Sequence, residues 1–166
     1  SNSAYLSPNG DLLRGAKHFG NDFFGSRGPS GGRVQRLAWD GTVLWDYLAS
    51  DEWMHQHHDI EPLPNGNILI LVWDRVTPED ALAAGRKEDS IAEKGIWPDA
   101  VIEVKQTGKA TGEIVWKWRA WDHLIQDHNP EKENYGDVAA HPELIDVNLN
   151  TRASSDWMHT NAVAYN

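Results

Sequence analysis

The sequence predicts an all-β protein built from propeller-like blades, with a short helical insertion. Three observations support this fold class: hairpin turns recur along the first half of the chain, two motifs are repeated, and the chain contains 9 Trp. Trp is among the rarest residues in proteins, and repeated aromatic positions in blade units account for such an excess. A β-sandwich with two similar hairpins is the alternative interpretation.

Turn-forming tripeptides mark the predicted hairpins. Pro8-Asn9-Gly10, Trp39-Asp40-Gly41 and Pro64-Asn65-Gly66 each lie between runs of strand character. Proline presets φ for a turn, and Asn-Gly or Asp-Gly tolerates positive φ. A longer polar turn follows at 106–112, and a glycine-rich loop is predicted at 25–32. The predicted strands are 3–7, 11–17, 33–38, 42–48, 57–62, 67–73, 100–105, 113–119 and 157–165.

The second half of the chain departs from this hairpin rhythm. Thr77 is a predicted helix N-cap, because Pro78 follows at the first helical position and acidic residues occupy the first turn. This helical insertion covers about 77–97, between two strands, with a short helix body over 81–85. A long loop is predicted over about 125–155. Short helical turns are expected at 122–127 and 142–145.

Two motifs are repeated along the chain. Pro8-Asn9-Gly10 recurs with its flanking residues as Pro64-Asn65-Gly66, and Asp40-Gly-Thr-Val-Leu-Trp45 recurs as Thr111-Gly-Glu-Ile-Val-Trp116. Repeats of this length, each holding two hairpins, are typical of propeller blades. The nine predicted strands make two to three blades, whereas a closed propeller needs about four or more. We therefore expect one partial propeller domain over 1–166, completed by the remainder of a longer chain or by a homo-oligomer.

Composition excludes several classes of partner. The formal net charge is −10, so the basic surface that nucleic acids or acidic membranes require is absent. The longest apolar run, 68–73, has the length of a strand, far below the ~20 residues of a membrane helix. The chain has no Cys, which excludes disulfides, thiolate metal sites and cysteine nucleophiles.

Several segments resemble the arylsulfotransferase propeller family. The similarity lies in Trp39–Tyr47, His57–Leu69, Glu113–Leu124 and Asp156–Asn166, so it spans nearly the whole chain. The resemblance implies a six-bladed propeller with its active site at the central channel, no cofactor, and a periplasmic or extracellular location. The implied reaction transfers a sulfuryl group between phenols through a sulfated histidine. Family chains are longer, and the implied sulfate-accepting histidine lies in a later blade, outside this chain.

The resemblance carries over three histidines as a supporting catalytic set: His58, His57 and His159. Neighbouring residues of a regular strand point to opposite faces, so only one of His57 and His58 would face the channel. Since Ile60 shares the parity of His58, we expect His58 to face the channel, with His57 as second choice. The alternative interpretation is that these histidines are buried hydrogen-bonding residues that tie blades together.

The remaining histidines, arginines and tryptophans are assigned mainly structural roles. His123 is predicted to cap a loop. Surface or loop positions are predicted for His18, His55, His128 and His141. Two roles remain as alternatives for three arginines: each either binds an anionic group or forms an ion pair between blades. They are Arg14, Arg33 and Arg119. Packing between blades is predicted for the strand residues Trp45, Trp116 and Trp118.

A metal site is the remaining alternative. His55-Gln56-His57-His58-Asp59 is rich in ligands, but its spacing departs from the His-x-His-x-Asp-His run of metallo-β-lactamase-type hydrolases. The loop 127–133 alternates acidic and amide residues, yet it lacks the glycine and terminal acid of an EF-hand. We therefore predict no metal. A sulfuryl transferase acting on small phenolic or aryl sulfate substrates is the first hypothesis, a non-catalytic propeller for binding or scaffolding the second, and a metal-dependent hydrolase the third.

Overall fold

A computed structural model describes residues 3–24, 30–149, 152 and 154–166. The described residues form two compact units. The sheet unit comprises Ser1–Trp73, Ala100–Trp118 and Thr160–Asn166, and the insert unit comprises Asp74–Asp99 and Arg119–His159. Most of the glycine-rich loop predicted at 25–32 lies outside the described residues.

Four strands of the sheet unit form an antiparallel meander in the order β1-β2-β3-β4. They are β1 (Ala4–Leu6), β2 (Leu12–Lys17), β3 (Gly32–Leu37) and β4 (Val43–Leu48). Ala4 pairs with Arg14 across β1 and β2, and a register shift follows Arg36 between β3 and β4. The hairpins predicted around Pro8-Asn9-Gly10 and Trp39-Asp40-Gly41 are therefore confirmed.

A second sheet has the same sequential order, β5-β6-β7-β8. Its strands are β5 (Met54–Pro62), β6 (Ile68–Asp74), β7 (Asp99–Gln106) and β8 (Gly112–Arg119). The helical insertion joins β6 to β7, as the longer second repeat predicts. With both sheets in place, the all-β fold class is confirmed, and neither sheet closes on itself within the described part of the chain.

The repeated turns use the same chemistry in both sheets. Gly10 and Gly66 have φ values of 89° and 85°, and their N–H groups donate to the carbonyls of Ser7 and Leu63 at 2.9 and 3.0 Å. Glycine adopts this left-handed conformation at little cost. The side chain of Asn65 also accepts from the N–H of Asn67 at 2.9 Å. This shared geometry explains why the Pro-Asn-Gly motif recurs at equivalent hairpins.

The core of the sheet unit lies between the two sheets. Leu13, Val34 and Trp45 come from the first sheet, and they pack with alternate residues of the second. The residues supplied by β6 and β7 are Ile68, Ile70, Val72, Ala100, Ile102 and Val104. Alternation along these strands presents one apolar face to the core, as the period of two requires.

The insert unit begins with the predicted helix. The hydroxyl of Thr77 accepts from the N–H of Asp80 at 3.1 Å, and helix α1 spans Pro78–Ala83. The N-cap prediction is therefore confirmed, and the helix ends two residues before the predicted limit. Among the described residues of this unit, no helix has the length and apolar character needed to cross a membrane, and the same is true of the sheet unit.

Three predicted elements are wrong. Residues 157–165 form no strand, and the N–H of Val163 donates to the side chain of Asp59 rather than to a neighbouring strand. A 3₁₀ turn at Ala120–Asp122 followed by strand β9 (Leu124–Ile125) replaces the helical turn predicted at 122–127. Strand β10 (Ile145–Asp146) pairs in parallel with β9, where helix was expected near 142–145.

Candidate functional site

Two of the three predicted site histidines lie side by side on β5. His57 is fully buried, and its ring stacks on the Trp73 indole with centroids 4.4 Å apart and planes 12° apart. His58 is half-buried, and its ring meets the edge of the His57 ring with centroids 5.6 Å apart. The sheet unit therefore brings these two imidazoles together, with one face of the pair formed by an indole.

The backbone at His58 departs from regular strand geometry. Its φ is +46°, a left-handed value that is uncommon for any residue other than glycine. The three residues before it, His55, Gln56 and His57, are all buried, so the alternation of faces fails here. The premise of a regular strand, on which the choice between His57 and His58 depended, does not hold. A strained conformation of this kind persists only where its surroundings over-determine it, and such residues cluster at functional sites.

His55 was predicted to lie at the surface or in a loop, and this prediction is wrong. Its ring is fully buried on β5, with Ser30 Oγ 2.7 Å from Nε2 and Ser50 Oγ 2.8 Å from Nδ1. The pKa of His55 is lowered to about 4, chiefly by burial and also by the charges of the neighbouring His18 and His57. The ring is consequently neutral near pH 7, with one nitrogen donating and the other accepting. His55 serves as a structural histidine.

Gly31 and Gly32, at the start of β3, leave room for the buried side chains of Gln56 and His55. A Cβ at Gly32, whose φ is +93°, would lie 2.8 Å from the His55 ring. A Cβ at Gly31 would lie 1.9 Å from the side-chain oxygen of Gln56. That oxygen accepts from the N–H of Gly32 at 2.9 Å. Glycine is therefore required at both positions by the close approach of β5.

Asp59 fastens two segments of the sheet unit to β5. Its buried carboxylate accepts from the Ser3 hydroxyl and, at 3.0 Å, from the N–H of Val163. The Ser3 hydroxyl in turn accepts from the N–H of Ile60 at 3.2 Å. Asp59 thus connects the first described residue and a late segment of the chain to the strand that carries the histidines.

The third predicted site histidine, His159, belongs to the insert unit. Its Nδ1 lies 2.7 Å from Oδ2 of Asp156, and 44 % of its side chain is exposed. Because a carboxylate only accepts, Nδ1 carries the proton of this hydrogen bond. Nε2 of His159 therefore carries no proton when the ring is neutral. His159 does not lie on a strand, so its predicted position at the start of one is wrong.

The predicted anion-binding arginines have partners in their own units. Arg33 pairs with Asp46 at 2.7 Å. Nε and Nη2 of Arg14 both donate to Oε1 of Gln35. Arg119 pairs with the largely buried Asp74 at 2.6 Å and with Asp122 at 3.2 Å. Arg33 and Arg119 thus form ion pairs within their own sheet or unit rather than between blades, and the partner of Arg14 is an uncharged amide. Within the described residues, no three His, Asp or Glu side chains are grouped to hold a metal ion.

The comparison with family models shows the family of the chain. Residues 9–166 match the model of the family described as Arylsulfotransferase (ASST). The chain belongs to the arylsulfotransferase family. The resemblance drawn from the histidine and tryptophan motifs is confirmed, and the match covers both compact units. At the level of the family, the function of the chain is arylsulfotransferase-like. Neither the curated proteins nor the solved structures contain a match to it.

Proposed function

We propose that this chain supplies supporting catalytic residues to an arylsulfotransferase that moves a sulfuryl group between phenolic compounds through a histidine intermediate. The observation that carries the proposal is the Asp156–His159 pair. A carboxylate that accepts from Nδ1–H leaves Nε2 as the unprotonated nitrogen of the neutral ring, as in the general-base histidine of a Ser–His–Asp triad. Here the hydroxyl belongs to the phenol that accepts the sulfuryl group.

The reaction proceeds in two balanced displacements. A histidine nitrogen attacks the sulfur of the aryl sulfate, an N–S bond forms, and the S–O bond to the aryl group breaks to release phenolate. The acceptor phenol then attacks the same sulfur as its proton passes to a base, and the N–S bond breaks. The attacking histidine is assigned to a part of the source protein outside this chain. His159 is assigned as the base of the second displacement.

The histidine pair on β5 is assigned to the sulfuryl oxygens. Charge accumulates on these oxygens during transfer, and N–H donors stabilise it. His58 is the first choice because its ring is partly exposed and its backbone is strained, whereas His57 is fully buried against Trp73. His57 therefore supports the His58 ring and is the second choice for direct contact.

We further propose that the two sheets are blades of a six-bladed propeller. Trp45 on β4 is fully buried, and its Nε1 donates at 3.0 Å to the carbonyl of Thr111, in the turn that joins β7 to β8. Trp116 holds the equivalent position in the repeat on β8, yet it is 50 % exposed. Ile114 and Trp118 share its parity and are also exposed. A further blade stacked on β8 would cover this face as the second sheet covers Trp45.

The subunit and native masses of the source protein test this architecture. A subunit mass well above that of 166 residues supports a propeller completed within one chain. A subunit of this length in a native oligomer supports completion by further copies. A native monomer of 166 residues would contradict the propeller proposal, because β8 would then remain uncovered. We place the protein in the periplasm or outside the cell, where the arylsulfotransferase family typically acts.

The proposed reaction is tested by transfer from p-nitrophenyl sulfate to phenol in the source protein. We expect p-nitrophenol release that depends on the acceptor, with parallel double-reciprocal plots typical of a ping-pong route. p-Nitrophenyl phosphate is the matched control donor and is expected to give no transfer. Absence of transfer would overturn the proposal in favour of a binding or scaffold role. Loss of transfer on treatment with a chelator would instead indicate metal-dependent chemistry.

A further inference from the structure

A buried arginine lies at the centre of the insert unit. Arg86 is 2 % exposed, and its Nη1 donates to the carbonyl of Val147 at 2.5 Å. Its Nε donates to the carbonyl of Ser90 at 3.3 Å. Burial lowers the pKa of Arg86, and the charge of Asp146 opposes that lowering. An arginine nevertheless stays protonated in proteins, so this unit keeps a cation in its interior at a cost in desolvation.

The guanidinium faces an indole two residues before the candidate base. The Arg86 carbon Cζ lies 5.4 Å from the ring centroid of Trp157, within the range of a cation–π contact. Trp157 is itself buried, and the Trp121 ring meets it edge-on with centroids 6.2 Å apart. The Trp157 ring is therefore held by a cation on one side and by apolar and aromatic neighbours elsewhere.

The backbone that carries His159 has no regular structure to hold it. Residues 154–159 belong to neither a helix nor a strand, and the carbonyl of Ser155 accepts one backbone hydrogen bond, from Trp97 at 2.6 Å. The position of Asp156 and His159 consequently depends on the side chains of this segment. Trp157, which lies between them in sequence, is the buried residue of the segment in this core, and Met158 packs against the core from a partly buried position.

We infer that Arg86 is a positioning residue for the Asp156–His159 pair, acting through the ring of Trp157. The cation holds the indole in one orientation, the indole fixes the backbone of 156–159, and Nδ1–H of His159 stays on the Asp156 carboxylate. This inference rests on the proposed function for the role of His159 as a base. Its geometric content, the tautomer of His159, is independent of any activity.

The tautomer of His159 tests the inference without a substrate. Long-range ¹H–¹⁵N correlation spectra of the source protein, recorded at alkaline pH, distinguish Nδ1–H from Nε2–H. We expect mainly Nδ1–H in the wild type. Arg86→Gln keeps a donor for the Val147 carbonyl but removes the cation, so we expect a shift toward Nε2–H, the form that free histidine favours. Arg75→Met, which removes a guanidinium from the same unit at a distance from Trp157 in sequence, is the control and should leave the tautomer unchanged.

A purely structural role for Arg86 would lower the unfolding temperature and leave the His159 tautomer as in the wild type, and that result would overturn the inference. If Arg86→Gln does not fold, Arg86→Met decides, because it also removes the cation but buries no polar group in its place. A shift toward Nε2–H in that variant supports the inference, and the wild-type tautomer overturns it.

Kinetics of the source protein separate this inference from the proposed function. With His159 misoriented, we expect Arg86→Gln to lower kcat about 10-fold and to change KM less than about twofold, since orientation acts on the transition state. A tautomer shift in a source protein without transfer activity would leave the positioning role standing and overturn the proposed reaction. A changed KM with unchanged kcat would overturn the positioning role.

Discussion

Two histidines of this chain occupy opposite environments. His55 is fully buried on β5, and both of its ring nitrogens lie within 2.8 Å of a serine hydroxyl. His159 lies on irregular backbone, with one nitrogen on Asp156 and much of its side chain exposed. The difference lies in what holds each ring: neutral hydroxyls at both nitrogens in one case, and a carboxylate at one nitrogen in the other.

The contrast separates a structural histidine, His55, from the histidine that we propose as a base, His159. A ring with both nitrogens engaged, and with its pKa lowered to about 4 by burial, neither gains nor passes on a proton near pH 7. A ring that a carboxylate orients keeps the opposite nitrogen for proton transfer. Substitutions at His55 should therefore act on stability, and substitutions at His159 should act on rate.

The largest expected effect is on catalysis by His159. We expect His159→Asn to lower the rate of sulfuryl transfer in the source protein about 10²- to 10⁴-fold, because the base is removed, with little change in stability. The measurement is kcat with p-nitrophenyl sulfate and phenol. His128→Asn, an exposed loop histidine, is the control and should retain the wild-type rate. An equal loss of kcat in His159→Asn and His128→Asn would contradict the assignment of His159 as the base.

The next effect is an acid-dependent loss of stability from His55. Its pKa is about 4 in the folded chain and about 6.5 when unfolded, so between these values only the unfolded chain binds the proton. The free energy of unfolding therefore falls as the pH drops from about 6.5 to about 4, by about 3 kcal/mol. Urea unfolding across this range measures it. The same acid dependence in His55→Phe would show that another group causes the loss.

Removal of the His55 nitrogens should cost less. His55→Phe fills the ring volume but withdraws both hydrogen bonds from Ser30 and Ser50, and we expect a loss of about 2 kcal/mol at neutral pH. Urea denaturation is the measurement. His141→Phe, at an exposed position, is the matched control and should change stability by less than about 0.5 kcal/mol. Comparable losses at the two positions would contradict a structural role specific to His55.

The smallest expected effect concerns the carboxylate partner of His159. Asp156→Asn keeps the shape of the side chain but removes the charge that selects Nδ1–H, so we expect kcat to fall about 10-fold. Asp127→Asn, in an exposed loop, is the control and should leave kcat unchanged. A loss in Asp156→Asn as large as in His159→Asn would mean that Asp156 does more than orient the ring.

The sequence predicts most of the sheets and one unit's helix, because their signals are local. Pro8-Asn9-Gly10 and its repeat specify turns through proline φ and glycine φ, and Thr77 with Pro78 specifies a helix start. Strands β9 and β10 have two residues each and pair in parallel, so no periodicity marks them. The segment 157–165 has strand-like residues, but the structure offers it no ladder partner.

The sequence predicts the residue types and motifs of the candidate site, but it does not predict what surrounds their side chains. His57, His58 and His159 follow from the resemblance, whereas the buried state of His55 depends on Ser30 and Ser50, which come from other parts of the chain. The predicted strand begins at residue 57, whereas β5 begins at Met54 and therefore includes His55. The left-handed φ of His58 departs from regular strand geometry, so strand parity cannot reveal it.

Titration of the source protein with p-nitrophenyl sulfate tests the central claim most directly. The Cε1–H resonances of His55 and His159 are followed by NMR near neutral pH, with p-nitrophenol as the control ligand. We predict a saturable shift of the His159 resonance that requires the sulfate group, while the His55 resonance stays in place. A shift of His55 without a shift of His159, or an equal response to p-nitrophenol, would contradict the division between a structural and a chemical histidine.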